Sequence, residues 1–215
     1  MRALSIGLLL VVGLALQASA QVKITKVTDD PPYSGEALAK YCSNPNKHLI
    51  IETKEGKLVI QLFDKIAPNH VAQITKFASE GKYDGCTFHR CIEDFMIQGG
   101  DPNTRDDDLT NDGFGGMGEM LKAEFSDISH VRGICSMART NDPNSATSQF
   151  FICHGSPTFL DKQYTVWGQL LKGYDVMDKI MKLPRVSGDN PGKAATMTKV
   201  YIEEIGAQKS KSPKK

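Results

Sequence analysis

The most informative part of the sequence is Phe88-His89-Arg90-Cys91-Ile92-Glu93-Asp94-Phe95-Met96-Ile97-Gln98-Gly99-Gly100-Asp101. It places one arginine and one glutamine among apolar and aromatic residues, and it ends in a Gly-Gly turn. A second stretch further along the chain, Ser148-Gln149-Phe150-Phe151-Ile152-Cys153, has the same mixture. Short apolar runs rich in aromatic and β-branched residues are typical of buried strands. We therefore expect two buried strands that carry a few polar side chains.

Short strands dominate the rest of the chain. Pro68 opens an amphipathic helix that ends before Gly81, and a second helix is predicted over Tyr174–Met181. Many short strands with few helices are typical of an all-β barrel or sandwich. The loop from Asp101 to Gly118 is long, acidic and glycine-rich, which indicates a mobile or functional segment. The predicted strands are His48–Thr53, Lys57–Phe63, Thr87–Ile92, Phe95–Gln98, Ile134–Ala138, Gln149–Cys153, Val166–Leu170 and Thr198–Glu204.

The composition indicates a soluble globular protein with one domain of ordinary size. The chain has 215 residues, of which 40% are apolar and 24% are charged. Four lysines fall in the last seven residues, so the body from 21 to 208 carries about four excess negative charges. A nucleic-acid-binding protein usually has a basic body. We therefore expect no nucleic-acid partner.

The N-terminus has the layout of a secretory signal peptide, which we assign to residues 1–20. Arg2 precedes an apolar run, and Ala18-Ser19-Ala20 forms a small-x-small cleavage pattern. The run is short for a bilayer span, so no stable membrane insertion is expected after cleavage, the alternative being an uncleaved anchor. Residues 21–45 are predicted to form an N-terminal extension and residues 46–207 the single domain. Residues 208–215 are expected to be a basic flexible tail, or else a contact for an acidic surface.

The sequence gives no sign of a metal or cofactor site. No Cys-x-x-Cys pair is present, the histidines lack ligand spacing, and Asp106–Asp108 lacks a calcium-loop pattern. Two of the five cysteines lie in apolar strand-like runs and are expected to be small core residues. Spacing leaves open whether the other three, Cys42, Cys86 and Cys91, include one disulfide.

The two signature stretches resemble those of the cyclophilins, the cyclosporin-binding family of peptidyl-prolyl cis–trans isomerases. The resemblance spans His48 to Ala207 and is most specific in four blocks, Phe88–Arg90, Phe95–Asp101, Ser136–Arg139 and Ser148–Ile152. It implies a mainly β fold, a closed eight-stranded antiparallel β-barrel capped by two α-helices. It also implies an enzyme without cofactor that acts on proline-containing unfolded or extended polypeptides, and we expect a monomer.

The chemistry of proline isomerisation suits an arginine in this position. Amide resonance sets a barrier of about 18–20 kcal/mol to rotation of the X–Pro bond. No bond is broken, so catalysis needs only a donor that stabilises the twisted amide, whose nitrogen carries a lone pair. The guanidinium of Arg90 stays protonated and offers a fork of donors, and the resemblance makes Arg90 the catalytic residue. Taken alone, an arginine in a strand is usually part of a surface ion pair.

The resemblance assigns twelve further residues to substrate binding. Taken alone, the three from the two signature stretches, Phe95, Met96 and Phe151, fit an ordinary barrel core equally well. By role, the implied set is the proline pocket (Phe95, Met96, Phe151, Leu160), the backbone-binding amides (Gln98, Gln149), an edge segment that pairs with the substrate (Ala138, Arg139, Thr140), a glycine turn (Gly115) and the pocket rim (Phe159, Tyr164).

Three of these positions depart from the eukaryotic members of the family. Phe159 replaces a tryptophan that helps to bind cyclosporin, so we expect reduced affinity for that drug with catalysis retained. Tyr164 replaces a histidine, and Arg139 replaces an asparagine that contributes mainly its backbone carbonyl. With the loop Asn141–Thr147, these features are more typical of bacterial members. The expected compartment is therefore a bacterial periplasm, with the ER lumen or the extracellular space as alternatives.

Two other functions are weaker alternatives. A peptide-binding or chaperone module with little turnover would not need the buried cation that we expect at Arg90. Hydrolysis by His89, His130 or His154 would need a nucleophile motif, and none is near these residues. His89 is instead expected to pack or to form a hydrogen bond inside the barrel.

Overall fold

The computed structural model describes residues 29–204. The signal peptide predicted over residues 1–20 and the tail predicted over 208–215 lie outside these residues. The described part contains eight strands: β1 (Lys47–Thr53), β2 (Gly56–Leu62), β3 (Arg90–Ile92), β4 (Met96–Gly99), β5 (Ile134–Met137), β6 (Phe150–Cys153), β7 (Val166–Lys172) and β8 (Met197–Glu204). It also contains three α-helices, α1 (Gly35–Ala39), α2 (Pro68–Ser79) and α3 (Tyr174–Met181).

The strands form one curled antiparallel sheet in the order β3-β4-β6-β5-β7-β2-β1-β8. Every predicted strand is present, although only the second half of Thr87–Ile92 forms β3, and the two main helices form where they were predicted. Helix α2 begins at Pro68, whose fixed φ suits the first helical position, and Gly81 with φ +66° follows its end. Hydrophobic periodicity and turn residues therefore suffice to place these elements.

The sheet is open, so the closed barrel that we expected is not confirmed. Strands β3 and β8 are the two edges, and β3 has only three residues. The predicted strand began earlier, at Thr87, but the backbone N–H of Thr87 donates to Thr104 Oγ1 (2.9 Å) instead of to a strand. Between the edges there is one isolated bridge, Thr87 to Thr196, with the Phe88 N–H donating to the Ala195 carbonyl (3.0 Å). The edges therefore meet without forming a continuous ladder.

The core has two parts, and the smaller one lies beneath the candidate site. The larger cluster packs the inner face of the sheet against α2 and α3 and includes the single tryptophan, Trp167. Burying a large apolar side chain contributes about 1.5–3 kcal/mol, so this cluster dominates the stability. The smaller cluster contains Met96, Phe151 and Leu160. The arrangement places part of the predicted proline pocket directly on buried, well-packed side chains.

The described part of the predicted N-terminal extension packs against the smaller cluster. Tyr33 stacks edge-on against Tyr41 with ring centroids 5.0 Å apart, and both rings contact Phe63. The backbone of Tyr33 exchanges two hydrogen bonds with the Gln169 side chain, at 3.0 and 2.6 Å. Arg132 lies between the carboxylates of Asp29 and Asp178. The extension therefore supports strands that carry the site.

The five cysteines carry free thiols and are all buried. The disulfide that spacing left open is therefore absent among them. No helix within residues 29–204 is both long enough and apolar enough to cross a membrane. The same stretch of the chain holds no group of three or more histidine, cysteine, aspartate or glutamate side chains suited to a metal ion.

Candidate functional site

A groove crosses one face of the sheet and consists of two adjoining cavities of about 470 and 200 Å³. Both cavities are lined by Gln98, Ala138 and Arg139, so they form one continuous surface. Of the thirteen predicted site residues, only Phe159 lines neither cavity, and it lies against the rim with its ring 5.7 Å from that of Phe95. The structure therefore brings together the residues that the family resemblance selected.

Strand register places the central residues in a row. Arg90 on β3 lies opposite Gln98 on β4, and Gln98 lies opposite Phe151 on β6. Directly opposed residues of antiparallel strands project to the same face and lie within contact distance. Met96 precedes Gln98 by two residues and therefore shares its face. Residues of the two signature stretches thus form a row across three neighbouring strands, which runs from the polar Arg90 and Gln98 to the apolar Phe151.

Arg90 is exposed, which corrects the expectation of a buried cation. Its guanidinium carbon lies 5.8 Å from the ring centroid of Phe95, a distance at which the ring attracts a cation. Among residues 29–204, no carboxylate lies within 4.0 Å of the guanidinium. The strand at this point is an edge of the sheet, so the side chain meets solvent. The donors of Arg90 are thus available at the mouth of the larger cavity.

The predicted proline pocket is an apolar recess beside Arg90. Met96, Phe151 and Leu160 are at least nine-tenths buried and form its base, and Phe95 is half-buried. Tyr164 meets Phe151 edge-on, with ring centroids 5.9 Å apart. A recess of this kind favours an apolar ring over water, because the buried side chains cannot hydrogen-bond to solvent.

The two predicted backbone-binding amides contact each other. Gln98 Nε2 donates to Gln149 Oε1 at 2.9 Å. Gln149 Nε2 in turn donates to the carbonyls of Gly113 (2.9 Å) and Gly115 (2.7 Å). Gln149 is therefore committed to the loop beside the smaller cavity. Gln98 is only half-buried and lines both cavities, so it is the better placed of the two to contact a bound peptide.

Asp101 holds the glycine-rich loop against the sheet. Its carboxylate is fully buried and accepts the backbone N–H groups of Asn103 (2.9 Å), Gly113 (2.6 Å) and Gly115 (3.1 Å). A Cβ atom on Gly115 would collide with this carboxylate. Glycine is therefore required where the loop approaches Asp101, and the conformation of the smaller cavity depends on this approach.

The predicted edge segment is partly used within the protein. The Ala138 N–H donates to the Gln149 carbonyl (3.0 Å), and the Thr140 N–H donates to Ser145 Oγ (2.9 Å). Arg139 places its guanidinium 4.3 Å from the centroid of the Tyr164 ring and donates to the Gln163 carbonyl at 2.9 Å. The Arg139 side chain therefore shapes the rim at Tyr164, although the family resemblance implied a role mainly for the backbone carbonyl at this position.

A hydrogen-bonded line of serine, histidine and aspartate contacts the pocket residue Phe151. His130 is fully buried, with Nδ1 3.0 Å from Asp161 Oδ1 and Nε2 3.1 Å from Ser136 Oγ. The His130 ring stacks on Phe151 at 6.1 Å. Burial lowers the pKa of His130, and the Asp161 carboxylate offsets only part of that effect. Ser136 is also fully buried, so this line of serine, histidine and aspartate has no access to a substrate and is structural.

His89 also lines the larger cavity and is buried, so of the two expected alternatives it packs, and within residues 29–204 neither of its ring nitrogens has a hydrogen-bond partner. Burial lowers its pKa, and the negative charges of Asp101 and Asp112 oppose this shift. The other lining residues that sequence reasoning missed come from three loops. The glycine-rich loop contributes Leu109, Asp112, Gly113 and Phe114, the loop after α3 contributes Ser187, Asp189 and Asn190, and the loop before β6 contributes Ser145 and Thr147.

The first of these loops gave a signal in the sequence through its length, acidity and glycine content, and the third was noted as the loop Asn141–Thr147, although not as part of the site. The second loop follows α3, and nothing in its composition indicates that it reaches the groove.

Comparison with known proteins gives consistent matches. A family described as "Cyclophilin type peptidyl-prolyl cis-trans isomerase/CLD" matches residues 48–206. A "Probable peptidyl-prolyl cis-trans isomerase" of Brucella suis biovar 1 (strain 1330) is 44% identical over 145 residues, which cover 65% of this chain and 74% of the relative. A "Peptidyl-prolyl cis-trans isomerase" of Synechococcus elongatus is 43% identical over 120 residues, which cover 56% and 77%.

Solved structures show the same fold. The cyclophilin-type isomerase of Cryptosporidium parvum, crystallised in the presence of the dipeptide Ala-Pro, matches with a TM-score of 0.65 and 29% identity. The match covers 73% of this chain and 98% of that one. Cyclophilin AquaCyp293 from Hirschia baltica matches with a TM-score of 0.60, 29% identity and coverage of 80% and 77%. The chain, with its arginine beside an apolar recess, therefore belongs to the family of cyclophilin-type peptidyl-prolyl cis-trans isomerases.

Proposed function

We propose that this protein accelerates cis–trans isomerisation of X–Pro bonds in unfolded or extended polypeptides, with Arg90 as the catalytic residue. The observation that carries the proposal is the row formed by Arg90, Gln98 and Phe151, which sets an uncommitted guanidinium beside an apolar recess. The Cryptosporidium parvum relative was crystallised with a proline dipeptide, which fits a proline-containing substrate.

The proposed mechanism follows from this placement. The proline ring enters the recess above Met96, Phe151 and Leu160, while Gln98 holds the peptide backbone. Rotation about the X–Pro bond makes the proline nitrogen pyramidal, and Arg90 donates a hydrogen bond to its lone pair. The planar ground state lacks this acceptor, so the bond stabilises the transition state selectively. One charge-assisted hydrogen bond of about 1.5–3 kcal/mol would supply about one to two factors of ten in rate.

Arg90 becomes more effective when the substrate covers it. The guanidinium is exposed, so water screens it. A peptide lying in the groove would exclude that water and strengthen the hydrogen bond. The binding energy of residues flanking the proline would therefore contribute to the rate as well as to affinity.

The cellular setting forms a second part of the proposal. We propose that the protein is exported through the signal peptide at residues 1–20 and assists folding of newly translocated chains, in a bacterial periplasm rather than the ER lumen or outside the cell. We further propose that it acts as a monomer and binds cyclosporin with reduced affinity, because Phe159 is smaller than the tryptophan of the eukaryotic family members. Fractionation of cells that express the full chain tests the compartment directly.

Exchange NMR of an X–Pro peptide tests the isomerase activity and the role of Arg90. Residues 21–215 are compared with Arg90→Ala, and Lys179→Ala serves as the matched control because this exposed cation lies on α3, outside the groove. We expect fast exchange in the wild type and the control, and a loss of about tenfold or more in Arg90→Ala. Peptide shifts without accelerated exchange, equal in all three proteins, would favour a peptide-binding module instead.

A further inference from the structure

Two loops that the sequence did not assign to substrate binding build one wall of the larger cavity. Asp112 belongs to the glycine-rich loop, and Ser187, Asp189 and Asn190 belong to the loop after α3. Asn190 Nδ2 donates to Asp112 Oδ2 at 2.7 Å, which joins the two loops. Asn190 is buried although it lies in a loop. The wall is therefore a built part of the structure.

The second loop is fixed beside the catalytic strand. The Cys91 N–H donates to the Asp189 carbonyl at 3.0 Å, and Arg185 donates to the Cys91 carbonyl at 3.0 Å. Both backbone groups of Cys91, the neighbour of Arg90, are thereby bound to this loop. The Val186 N–H also donates to the Asn190 carbonyl at 2.8 Å, which closes the turn. Asp189 is consequently held near Arg90 before any substrate binds.

The wall carries negative charge that nothing within it neutralises. Asp189 is exposed and, within residues 29–204, joins no ion pair. In the described part of the chain, Asp112 accepts a hydrogen bond only from the neutral amide of Asn190, at Oδ2. His89 is a buried residue of the same cavity lining, and within residues 29–204 both of its ring nitrogens lack a hydrogen-bond partner. Arg139, the other cation of the cavity, is committed to the Tyr164 rim.

We propose that this wall is a specificity subsite for a lysine or arginine side chain that flanks the proline of the substrate. The inference rests on the proposed isomerase function and assigns the groove a substrate class. Two carboxylates with the Ser187 hydroxyl beside them offer acceptors that match the donors of a cationic side chain, while the Asn190 amide is used within the wall. A partly enclosed cavity screens such a pair less than open solvent does. The charge would therefore select among substrates as well as attract them.

A pair of peptides identical except for one lysine or glutamate tests the subsite. The variable position is placed in turn before and after the proline, and kcat/KM is measured by exchange NMR. We expect the lysine peptide to be preferred by about fivefold to tenfold at the position that reaches the wall. Raising NaCl from about 20 to about 300 mM should shrink the preference, because salt screens the attraction.

The double variant Asp112→Asn with Asp189→Asn assigns the effect to the two carboxylates. The readout is the ratio of the lysine to the glutamate peptide, so a general loss of activity cancels. We expect this ratio to fall to about one in the double variant. Asp127→Asn is the control, because this carboxylate is exposed and lies outside the groove, and it should keep the ratio.

Equal rates for the two wild-type peptides, or a preference that survives the double variant, would overturn the subsite. An uncharged peptide reports the isomerase activity separately. If no peptide is isomerised, the proposed function fails, and the subsite is then judged from the dissociation constants of the same lysine and glutamate peptides in NMR titrations. A preference for lysine in binding alone would support the wall as a cation site without catalysis.

Discussion

Replacing Asp101 by asparagine should loosen the glycine-rich loop that lines part of both cavities. The fully buried carboxylate accepts three backbone N–H groups, from Asn103, Gly113 and Gly115. Asparagine has the same shape, but it has one acceptor oxygen, and its NH₂ group must face a backbone N–H. Two hydrogen bonds then lose their charge, at about 1 kcal/mol each, and the third is lost with an unpaired donor left buried, at about 1–3 kcal/mol.

Part of this loss is offset, because burying the charged carboxylate carries a desolvation cost in the wild type that the neutral amide largely avoids. We therefore expect Asp101→Asn to lower the free energy of unfolding by about 2–4 kcal/mol, out of about 5–15 kcal/mol for a typical domain. Urea unfolding followed by fluorescence of the buried Trp167 measures this directly. With a slope of about 1–3 kcal/mol per molar urea, the midpoint should fall by about 1–2 M.

Asp107→Asn is the matched control, because it lies on the same loop with its side chain 99% exposed. It should change the free energy of unfolding by less than about 0.5 kcal/mol. In Asp101→Asn we also expect KM for an X–Pro peptide to rise, since the loop carbonyls that anchor Gln149 move. A loss equal to that of the control would refute the role of Asp101 as the anchor of the loop.

Two further perturbations test the buried histidines and the rim. Burial lowers the pKa of His48, His89 and His130, so between that pKa and about 6.5 the unfolded chain binds more protons and stability falls as the pH drops. The free energies of unfolding obtained from urea titrations at pH 7 and pH 5 should differ by up to about 2 kcal/mol per histidine, whereas equal free energies would contradict this linkage. Phe159→Trp enlarges an exposed aromatic rim that already contacts Phe95. We expect cyclosporin to inhibit this variant about tenfold more tightly than wild type, with Phe125→Trp unchanged as a control outside the groove.

Much of the fold could be predicted because hydrophobic periodicity and turn residues are local signals. Helix α3 has the predicted bounds, and the hairpin of β1 and β2 forms around Gly56. The exception is the first half of the Thr87–Ile92 strand. Its residues are rich in β formers, but Thr104, a residue distant in the chain, supplies the partner for Thr87. Local composition does not indicate such a partner. The sheet is open at this strand, where the family resemblance implied closure.

Strand register explains the centre of the candidate site, whereas predicted residues outside the strands, such as Gly115 and Tyr164, were selected by the family resemblance alone. Arg90, Gln98 and Phe151 become neighbours through strand register, which the signature stretches encode. Residues such as Asp189 and Asn190 reach the cavity because Arg185 and Cys91 fix a loop that follows a helix. The sequence also favoured a buried Arg90, since its neighbours are apolar, yet β3 lies at a sheet edge where alternate side chains meet solvent. Edge position depends on the topology of the whole sheet.

The buried thiols bear on the order of events in an oxidising compartment. Burial raises the pKa of Cys42 and Cys86 and brings that of Cys91 to about 12, so the reactive thiolate is scarce in the native protein at neutral pH. The unfolded chain has no such shielding, and all five cysteines would react at their ordinary pKa. In the exported setting that we propose, folding and oxidation would compete as the chain emerges from translocation, and a chain that folds first would expose no thiol to mixed disulfides. Rapid folding of the strands that bury the cysteines would then protect the chain against cross-linking.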